Sequence, residues 1–349
     1  MKGRGAQINT DNPFSNHRAA RHPDLIFSKP AEEVHTVYLE THAKTIINKV
    51  DSPDIGLEYS MNPYQGCEHG CVYCYARNTH PYWGYNAGIE FESKILVKRD
   101  APQLLAKKLS SPKWIVAPIM LSGNTDCYQP IEAKLKITRQ LLEVLERFHH
   151  PVGIITKSAL VLRDIDIISR MAQKNLISVA ISVNTLDESL RRQLEPRTAS
   201  ITRRLQVIEE LSQAGIHVHA MLAPVIPGLN DHEMMDLMGA VAKAGAKNAG
   251  YITVRLNGDV GPIFTDWVRK KYADRADRIL NRIMDIHGGK LNDSRTGIRM
   301  RGEGKYAEMI AAQFQLALKR HLPVIHPFEY DLTQFEKARK PQTSLFDLI

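Results

Sequence analysis

Three of the chain's four cysteines, Cys67, Cys71 and Cys74, lie within eight residues of one another, separated by three and then two residues. Thiolates this close on a single loop can converge on one metal centre. Three thiolates are one fewer than the four that complete the coordination of a cubane iron–sulfur cluster. The spacing therefore predicts a cluster in which one iron keeps an open position for a further ligand.

A structural zinc site is the main alternative for this stretch. Cys67, Cys71, Cys74 and His69 together would satisfy tetrahedral zinc. Zinc sites of this kind usually pair two separated couples of ligands, however, and no second couple is present in this sequence. Three buried, inert cysteines are a weaker alternative, because the residues among them include glycine, glutamate and histidine rather than core residues.

The elements around the cysteines follow a regular alternation of strand and helix. Short apolar or β-branched runs predict six strands, and amphipathic stretches between them predict helices. The predicted strands are 58–63, 114–121, 152–155, 177–183, 217–223 and 251–256, and the predicted helices include 132–148, 163–174, 202–214 and 231–244. Alternation of buried strands with helices predicts an α/β fold with a parallel sheet and right-handed crossovers. Six units are fewer than the eight of a closed (β/α) barrel, so we expect an open or partial barrel.

Polar clusters follow several of the predicted strands. Residues 122–126 follow the second strand, Thr156 and Lys157 the third, Asn184 and Thr185 the fourth. In parallel α/β sheets the functional site lies at the carboxyl ends of the strands. These residues are therefore expected to share a site with the cysteine loop, which follows the first strand.

The rest of the chain divides into three further parts. Residues 1–56 predict an irregular N-terminal arm with one strand at 34–38, and residues 57–258 hold the strand–helix core. Residues 259–333 predict a C-terminal helical extension with a late strand at 324–330, and residues 334–349 an exposed tail.

Together these features resemble the radical SAM superfamily. The resemblance rests on the Cys-x-x-x-Cys-x-x-Cys spacing with Tyr73 before the third cysteine, placed after the first strand of a partial barrel. Within the superfamily the chain is similar to the branch related to spore photoproduct lyase, by Ser60-Met61-Asn62-Pro63-Tyr64 and Asp126-Cys127-Tyr128-Gln129-Pro130. The similarity spans about residues 59–256.

The resemblance implies a partial (β/α)6 barrel of the radical SAM type and two cofactors. Cys67, Cys71 and Cys74 would hold a [4Fe-4S] cluster, and the open iron would bind the amino and carboxylate groups of S-adenosylmethionine. By the same resemblance, Tyr73 would lie against the adenine. The other residues implied to hold this cofactor are Thr125, Asp126, Lys157 and Ser182. The resemblance also implies a small electron-donor protein such as flavodoxin or ferredoxin.

One position departs from the lyase. The lyase has a hydrogen-donating cysteine two residues before the aspartate that matches Asp126. The present chain has Asn124 there, and its cysteine, Cys127, follows Asp126 instead. Cys127 is either a displaced hydrogen donor, and so a candidate catalytic residue, or a small buried side chain at a strand end. The lyase's own lesion-reversing reaction does not transfer directly.

Charge and composition bear on the partners and the compartment. The formal net charge is +8 and the isoelectric point about 9.2, which suits an anionic partner such as nucleic acid. Few cysteines, most of them crowded together, predict a reducing cytoplasm rather than a disulfide framework. No run of the sequence is long and apolar enough to predict a membrane span.

The tail contains a peptide, Gln342-Thr343-Ser344-Leu345-Phe346, that is similar to the pentapeptide by which bacterial DNA polymerases and repair proteins dock on the sliding clamp. Such a peptide delivers Leu345 and Phe346 into a preformed apolar pocket while Gln342 fixes the polar orientation. Thr343 replaces the leucine that is usual at the second position.

The sequence thus predicts a cytoplasmic radical SAM enzyme that acts on nucleic acid, with DNA and DNA repair as the favoured setting. Two alternatives stay open. The same chemistry could act on a peptide, an RNA or a metabolite, or the protein could be a zinc-stabilised nucleic-acid-binding protein without catalysis.

Overall fold

The computed structural model describes residues 3–14, 34–54, 56–325 and 327–336. Within these residues the chain forms ten strands and eleven α-helices. The strands are β1 (Val37–Glu40), β2 (Ile47–Lys49), β3 (Tyr59–Met61), β4 (Tyr64–Gln65), β5 (Lys94–Val97), β6 (Ile119–Leu121), β7 (Val152–Thr156), β8 (Ile177–Ser182), β9 (His217–Val225) and β10 (Asn248–Thr253). The helices are α1 (Ile89–Ser93), α2 (Ala101–Leu109), α3 (Glu132–Leu135), α4 (Ile137–Arg147), α5 (Ile165–Ala172), α6 (Glu188–Leu194), α7 (Ile201–Gln213), α8 (Met234–Lys243), α9 (Val260–Lys271), α10 (Ala276–Asp285) and α11 (Gly304–His321).

The main sheet has seven strands in the order β10-β9-β8-β7-β6-β3-β2. Each neighbouring pair from β3 through β10 is parallel, and only the edge pair of β2 and β3 is antiparallel. Helices α4, α5, α7 and α8 cover the sheet, and their apolar faces join the strands in one large core. Six parallel strands in an open sheet confirm the predicted α/β fold with a parallel sheet, and no closed barrel forms among the described residues.

Two predicted elements are shorter than the sequence pattern suggests. The strand expected from Trp114 begins only at Ile119, directly after Pro118, whose nitrogen has no hydrogen to donate to a neighbouring strand. The helix expected over 132–148 is interrupted at Lys136, which adopts a left-handed conformation with φ of 53°. At this break the Glu132 carboxylate accepts hydrogen bonds from the Thr138 N–H at 3.1 Å and the Tyr64 hydroxyl at 2.5 Å.

A second sheet, absent from the sequence prediction, has three strands in the order β1-β5-β4. Strand β1 begins at Val37 rather than Val34 and pairs with β5 in parallel, while β4 pairs with β5 antiparallel. Because β4 runs from Tyr64 to Gln65, directly before the cysteines, this sheet fixes where the cysteine loop begins.

The C-terminal extension contains α9, α10 and α11. The late strand predicted at 324–330 is wrong, because the described residues of this segment belong to no strand. Instead Phe328 lies against His217, with ring centroids 5.0 Å apart, and the Tyr330 hydroxyl bonds to the Ser178 hydroxyl at 2.7 Å. Among the described residues, no helix is both long enough and apolar enough to cross a membrane.

Residues 334–336, assigned above to the tail, also contact the barrel. Gln334 donates to the Lys174 carbonyl at 3.2 Å, and the Glu336 N–H donates to the Phe148 carbonyl at 3.0 Å. Between them, Phe335 packs edge-on against His150 with ring centroids 5.3 Å apart. The start of the predicted tail therefore packs against the loops that precede β7 and β8.

The loop before α11 connects the two ends of the main sheet. The Thr253 N–H, on the edge strand β10, donates to the Met300 carbonyl at 3.0 Å. The neighbouring Arg299 pairs with Asp54, which lies between β2 and β3 at the opposite edge, and the Gly297 N–H donates to Asp54 at 2.7 Å. One loop thus bridges the open side of the partial barrel.

Candidate active site

The three crowded cysteines lie together on the loop that follows β4. All are free thiols; Cys67 and Cys71 are buried and Cys74 is partly buried. Burial raises the pKa of each thiol, and the negative charge of neighbouring cysteines adds to the increase for Cys67 and Cys71. All three thiols thus lie on one loop, in a largely buried environment.

Arg77 fixes the shape of this loop from within. Its guanidinium is fully buried and donates to the Cys71 carbonyl from Nε at 3.0 Å and from Nη2 at 2.9 Å. The same group bonds to the buried Glu92 carboxylate at 2.5 Å and to the Ala87 and Gly88 carbonyls. A fully satisfied buried network of this kind holds the backbone in one conformation.

The N-terminal segment completes that network. Glu92 accepts hydrogen bonds from the Gly5 N–H at 3.0 Å and the Ala6 N–H at 2.8 Å. Arg4 is buried as well and donates to the Glu92 carbonyl at 2.5 Å. Residues 3–14 of the predicted N-terminal arm form no helix or strand, and they pack against the back of the cysteine loop.

Two residues that follow β6 hold the cysteine loop from the other side. Gln129, fully buried, accepts from the Glu68 N–H at 3.0 Å and donates to the Gly66 carbonyl at 3.2 Å. Asp126 lies 3.3 Å from His69 Nδ1. The Asp-Cys-Tyr-Gln-Pro stretch that the sequence analysis noted therefore supports the loop that carries the cysteines.

Asp126 also connects this loop to the end of β7. Its carboxylate accepts from the Thr156 hydroxyl at 2.7 Å and from the Lys157 N–H at 2.9 Å. Burial acts to raise the pKa of Asp126, but the nearby His69 and these hydrogen bonds outweigh it and lower the pKa to about 2. Both carboxylate oxygens of Asp126 thus already accept hydrogen bonds within the protein.

Lys157 extends the site beyond β7. Burial acts to lower the pKa of its ammonium group, but the negative charges of Cys71 and Glu195 outweigh this and raise the pKa. No hydrogen bond among the described residues uses the Lys157 ammonium nitrogen, whereas its backbone N–H is bonded to Asp126. A cation beside the cysteines is therefore available to an anionic group of a cofactor.

Tyr73 and Glu195 form a contact that the sequence analysis missed. The Tyr73 hydroxyl donates to the fully buried Glu195 carboxylate, which also pairs with the buried Arg204. Glu195 lies between two helices and 122 residues from Tyr73, so no local pattern signals it. The ring of Tyr73 packs with Leu190, Leu194 and other apolar side chains, which leaves its predicted contact with adenine a prediction.

Two further predicted cofactor residues are Thr125, in the loop after β6, and Ser182, at the end of β8. The Thr125 hydroxyl donates to the Tyr64 carbonyl at 2.6 Å, so its hydrogen is used within the protein. Ser182 is the last residue of β8, and its carbonyl accepts from Arg204 at 3.0 Å. Both side chains are buried.

Cys127 belongs to the main core, whereas Cys67 and Cys71 belong to smaller, separate clusters. It is fully buried among apolar side chains of that core. Its N–H donates to the Ser122 hydroxyl at 2.8 Å, and its carbonyl accepts from the Thr138 hydroxyl at 2.6 Å. This placement favours a packing role, and a hydrogen-donating role stays a prediction. The predicted clamp-binding residues Gln342, Leu345 and Phe346 lie outside the described residues.

The donor set fits an iron–sulfur cluster better than zinc. In the described part of the chain, no three His, Cys, Asp or Glu side chains are placed to hold a single metal ion. A tetrahedral zinc site needs four ligands that converge on one point at about 2.0–2.3 Å, and His69 already bonds to Asp126. A cubane spreads its irons over several corners, so each thiolate can bind a different iron. Three free, neighbouring thiols on one loop suit the cubane.

Comparison with known protein families agrees with this geometry. Residues 61–241 match the model of the radical SAM superfamily, which is more than half of the chain and includes the cysteine loop and four complete strands of the six parallel ones. The chain belongs to the radical SAM superfamily. Its members bind a [4Fe-4S] cluster and S-adenosylmethionine, and the protein is accordingly a radical SAM enzyme.

Several relatives share this fold or sequence. An uncharacterized protein of Mycobacterium tuberculosis H37Rv is 34% identical over 242 residues, which are 68% of this chain and 71% of the relative. An uncharacterized protein of Methanocaldococcus jannaschii is 33% identical over 195 residues, 56% of this chain and 70% of the relative. The structure of spore photoproduct lyase complexed with dinucleoside spore photoproduct superposes with a TM-score of 0.58 at 16% identity, covering 84% of this chain and 82% of the lyase.

Proposed function

We propose that this radical SAM enzyme acts on nucleic acid, with DNA as its substrate and DNA repair as its setting. In this proposal Cys67, Cys71 and Cys74 hold the cluster, and Lys157 binds the carboxylate of S-adenosylmethionine. When bound, the reduced cluster supplies the electron that cleaves the cofactor to a 5′-deoxyadenosyl radical. The protein's own residues position the cofactors and shape the path by which substrate reaches them.

Exposed aromatic side chains directly after the cysteines are the observation that carries the proposal. Tyr75 follows Cys74 and is 53% exposed, and Tyr82 is 73% exposed. Tyr82 lies against Phe14, itself 58% exposed, with ring centroids 4.7 Å apart. Exposed aromatic rings on a folded protein mark a binding surface, and stacking on such rings is worth about 1–3 kcal/mol per nucleic-acid base.

The exposed rings of Phe14, Tyr75 and Tyr82 are called the aromatic surface below. Tyr75 connects this surface to the polar site. Its hydroxyl donates to the Gly123 carbonyl at 2.6 Å, so the ring lies beside the loop that follows β6. A base stacked on these rings would lie next to the cysteine loop. The formal net charge of +8 supports an anionic partner, and the lyase of the similar fold was solved with a dinucleoside.

The test compares substrate classes after anaerobic reconstitution of the cluster. Formation of 5′-deoxyadenosine is measured with ultraviolet-irradiated DNA, undamaged DNA, RNA and a peptide mixture. We expect DNA, and irradiated DNA above all, to stimulate cofactor cleavage. Stimulation by RNA or peptide alone would reject DNA and support one of the alternative substrate classes.

Variants of the aromatic surface sharpen the test. Tyr82→Ala should weaken DNA binding about tenfold or more, the cost of one lost stacking partner. Leu316→Ala is the matched control, because Leu316 is an exposed apolar residue, 60% accessible, on α11. Equal losses in the two variants would remove the aromatic surface from the proposal.

Three further proposals concern the enzyme's surroundings. Free cysteines throughout the described chain suit a reducing cytoplasm. A flavodoxin or ferredoxin would supply the electron to the cluster.

The tail peptide that contains Gln342, Leu345 and Phe346 would dock on the DNA sliding clamp. Clamp binding is tested by comparing the full chain with a chain that ends at Pro341, and equal binding by both would reject the peptide.

A further inference from the structure

Arg255 has a position and an environment that set it apart from the other arginines of the site. It lies two residues after the end of β10, at the carboxyl end of the parallel sheet. The cysteine loop, Asp126 and Lys157 likewise follow the carboxyl ends of β3, β6 and β7. In parallel α/β sheets this end is where substrates bind.

The guanidinium of Arg255 lacks an anionic partner. Its Nε is buried and has no hydrogen-bond partner in the structure. Its Nη1 has one weak contact, with Met300 Sδ at 3.7 Å. None of the ion pairs formed within the described residues includes Arg255, whereas the neighbouring Arg299 is bound to Asp54 and to Ser52.

An unpaired donor of this kind is costly. Arg255 is partly buried and keeps its proton, so its buried Nε–H without an acceptor lowers the stability of the fold. Burial and the nearby Arg299 lower the pKa of Arg255, while Asp54 and Tyr75 oppose this change. Tyr75, on the aromatic surface, lies in the turn Tyr75–Thr79, which a hydrogen bond from Asn78 to the Asn257 carbonyl joins to the loop that carries Arg255.

An unsatisfied amide lies on the same loop. Asn257 Oδ1 is buried without a hydrogen-bond partner. Its backbone carbonyl accepts from Asn78 at 2.9 Å, which joins this loop to the turn that follows the cysteines. The loop after β10 therefore carries both a free cationic donor and a free acceptor, and it is fixed to the cysteine region.

We propose that Arg255 binds one phosphate of the substrate next to the base held on the aromatic surface. This inference rests on the proposed nucleic-acid substrate and names the group that positions it. Guanidinium groups suit phosphate because their planar N–H donors match its oxygens in pairs. Lys157, directly after β7, is assigned to S-adenosylmethionine, so the two cations serve different ligands.

The experiment measures binding of a fluorescent single-stranded oligothymidylate to the reconstituted enzyme over a range of salt concentrations. Arg255→Met should weaken binding about tenfold at low salt and reduce the slope of log affinity against log salt by about 0.7, the value for one phosphate on a single strand. Arg269→Ala is the control, because Arg269 is an exposed arginine on α9 paired with Asp277 at 3.8 Å. It should leave both quantities unchanged.

A scan with single neutral methylphosphonate linkages locates the phosphate. In the wild-type enzyme one linkage position should weaken binding about tenfold, the effect of one lost phosphate contact. In Arg255→Met that position should have no effect. If every position that weakens binding did so equally in both proteins, the assignment would be overturned.

Thermal unfolding supplies a readout that is independent of substrate. Since the buried Nε–H of the partly buried Arg255 has no acceptor, Arg255→Met should raise the unfolding midpoint by about 1–3 °C. A lowered midpoint with unchanged oligonucleotide binding would show a structural arginine and reject the proposal. Failure of the wild-type enzyme to bind any oligonucleotide would reject the proposed substrate class, and this inference with it.

Discussion

Gly5 packs directly against Gly70 of the cysteine loop. A β-carbon on Gly5 would overlap the Gly70 carbonyl oxygen, and Gly70 itself adopts φ of +68° with the Glu92 carboxylate beside it. Backbone therefore meets backbone at this point, where no side chain can be accommodated. The N-terminal segment and the cysteine loop are consequently parts of one structure.

From this contact we predict that Gly5→Ala impairs cluster retention. The added methyl group must displace either the N-terminal segment or the loop between Cys67 and Cys71, and overpacking of this kind costs about 1–3 kcal/mol. Iron and sulfide per chain after reconstitution, and the rate at which the visible absorbance bleaches in air, provide the measurement. We expect less iron and faster bleaching.

Gly56→Ala is the matched control for this prediction. A β-carbon on Gly56 meets nothing within 4 Å, and its φ does not lie in the left-handed region. The same chemical change should therefore leave iron content and bleaching rate at the wild-type values. Equal bleaching of the Gly5 and Gly56 variants would show that the N-terminal segment does not support the cluster.

The core of the site could be predicted from sequence because its signals are local. The spacing of Cys67, Cys71 and Cys74 is visible in eight residues, and the buried strands of the parallel sheet appear as apolar runs. The family match supports the chemistry that the cysteine spacing predicted. The structure adds the structural role of Asp126: its carboxylate joins the cysteine loop to the end of β7.

The parts that sequence could not supply depend on contacts between distant residues. Glu92 reaches Gly5 across 87 residues, and Glu195 reaches Tyr73 across 122. The two-residue strand β4 is too short to show a periodicity. Phe328 and Tyr330 alternate as strand residues would, yet they pack against existing strands instead of extending a sheet.

A second prediction concerns the buried pair of Glu195 and Arg204. Glu195→Gln should destabilise the protein by about 3–5 kcal/mol, because it leaves the buried Arg204 charge without its partner. Tyr73→Phe should cost less, about 1–3 kcal/mol, since Glu195 keeps Arg204 and loses a single hydrogen bond. Urea unfolding monitored by circular dichroism measures both.

The control for this pair is Glu210→Gln. Glu210 bonds to Arg203 at 2.7 Å, but both side chains are more than 40% exposed. Surface ion pairs of this kind contribute about 0–1 kcal/mol. If the Glu195 and Glu210 variants unfolded at the same urea concentration, the buried pair would have no special role in holding Tyr73.

A third prediction concerns the pH dependence of stability. Burial lowers the pKa of His150 to about 4, and it has the same effect on His80 and His219. The unfolded chain takes up a proton at each histidine below about pH 6.5, whereas the folded chain does not. Stability is therefore lost as the pH falls from about 6.5 to 4, by about 1.4 kcal/mol per histidine at pH 5.5.

His150→Gln tests this explanation. His150 lies between the Trp114 indole nitrogen, at 3.1 Å, and the Pro151 carbonyl, at 2.9 Å, far from the cysteine loop in the sequence. The variant should lose stability at pH 7.5 but show a shallower slope of unfolding free energy against pH below pH 6.5, because one of the histidines that create this slope is gone. His42→Gln, which changes a histidine side chain that is 89% exposed, should leave the slope unchanged.

The fourth prediction separates the cysteines by role. Cys71→Ala should abolish the cluster, because it removes one of only three thiolates on the loop. Cys127→Ala should keep full iron content and form 5′-deoxyadenosine at the wild-type rate, with a stability loss of about 1 kcal/mol from the vacated core volume. Iron analysis, electron paramagnetic resonance of the reduced protein and cofactor cleavage together measure this. If Cys127→Ala kept the cluster and cleaved the cofactor but diverted the substrate radical to a different product, Cys127 would be the hydrogen donor rather than a core residue.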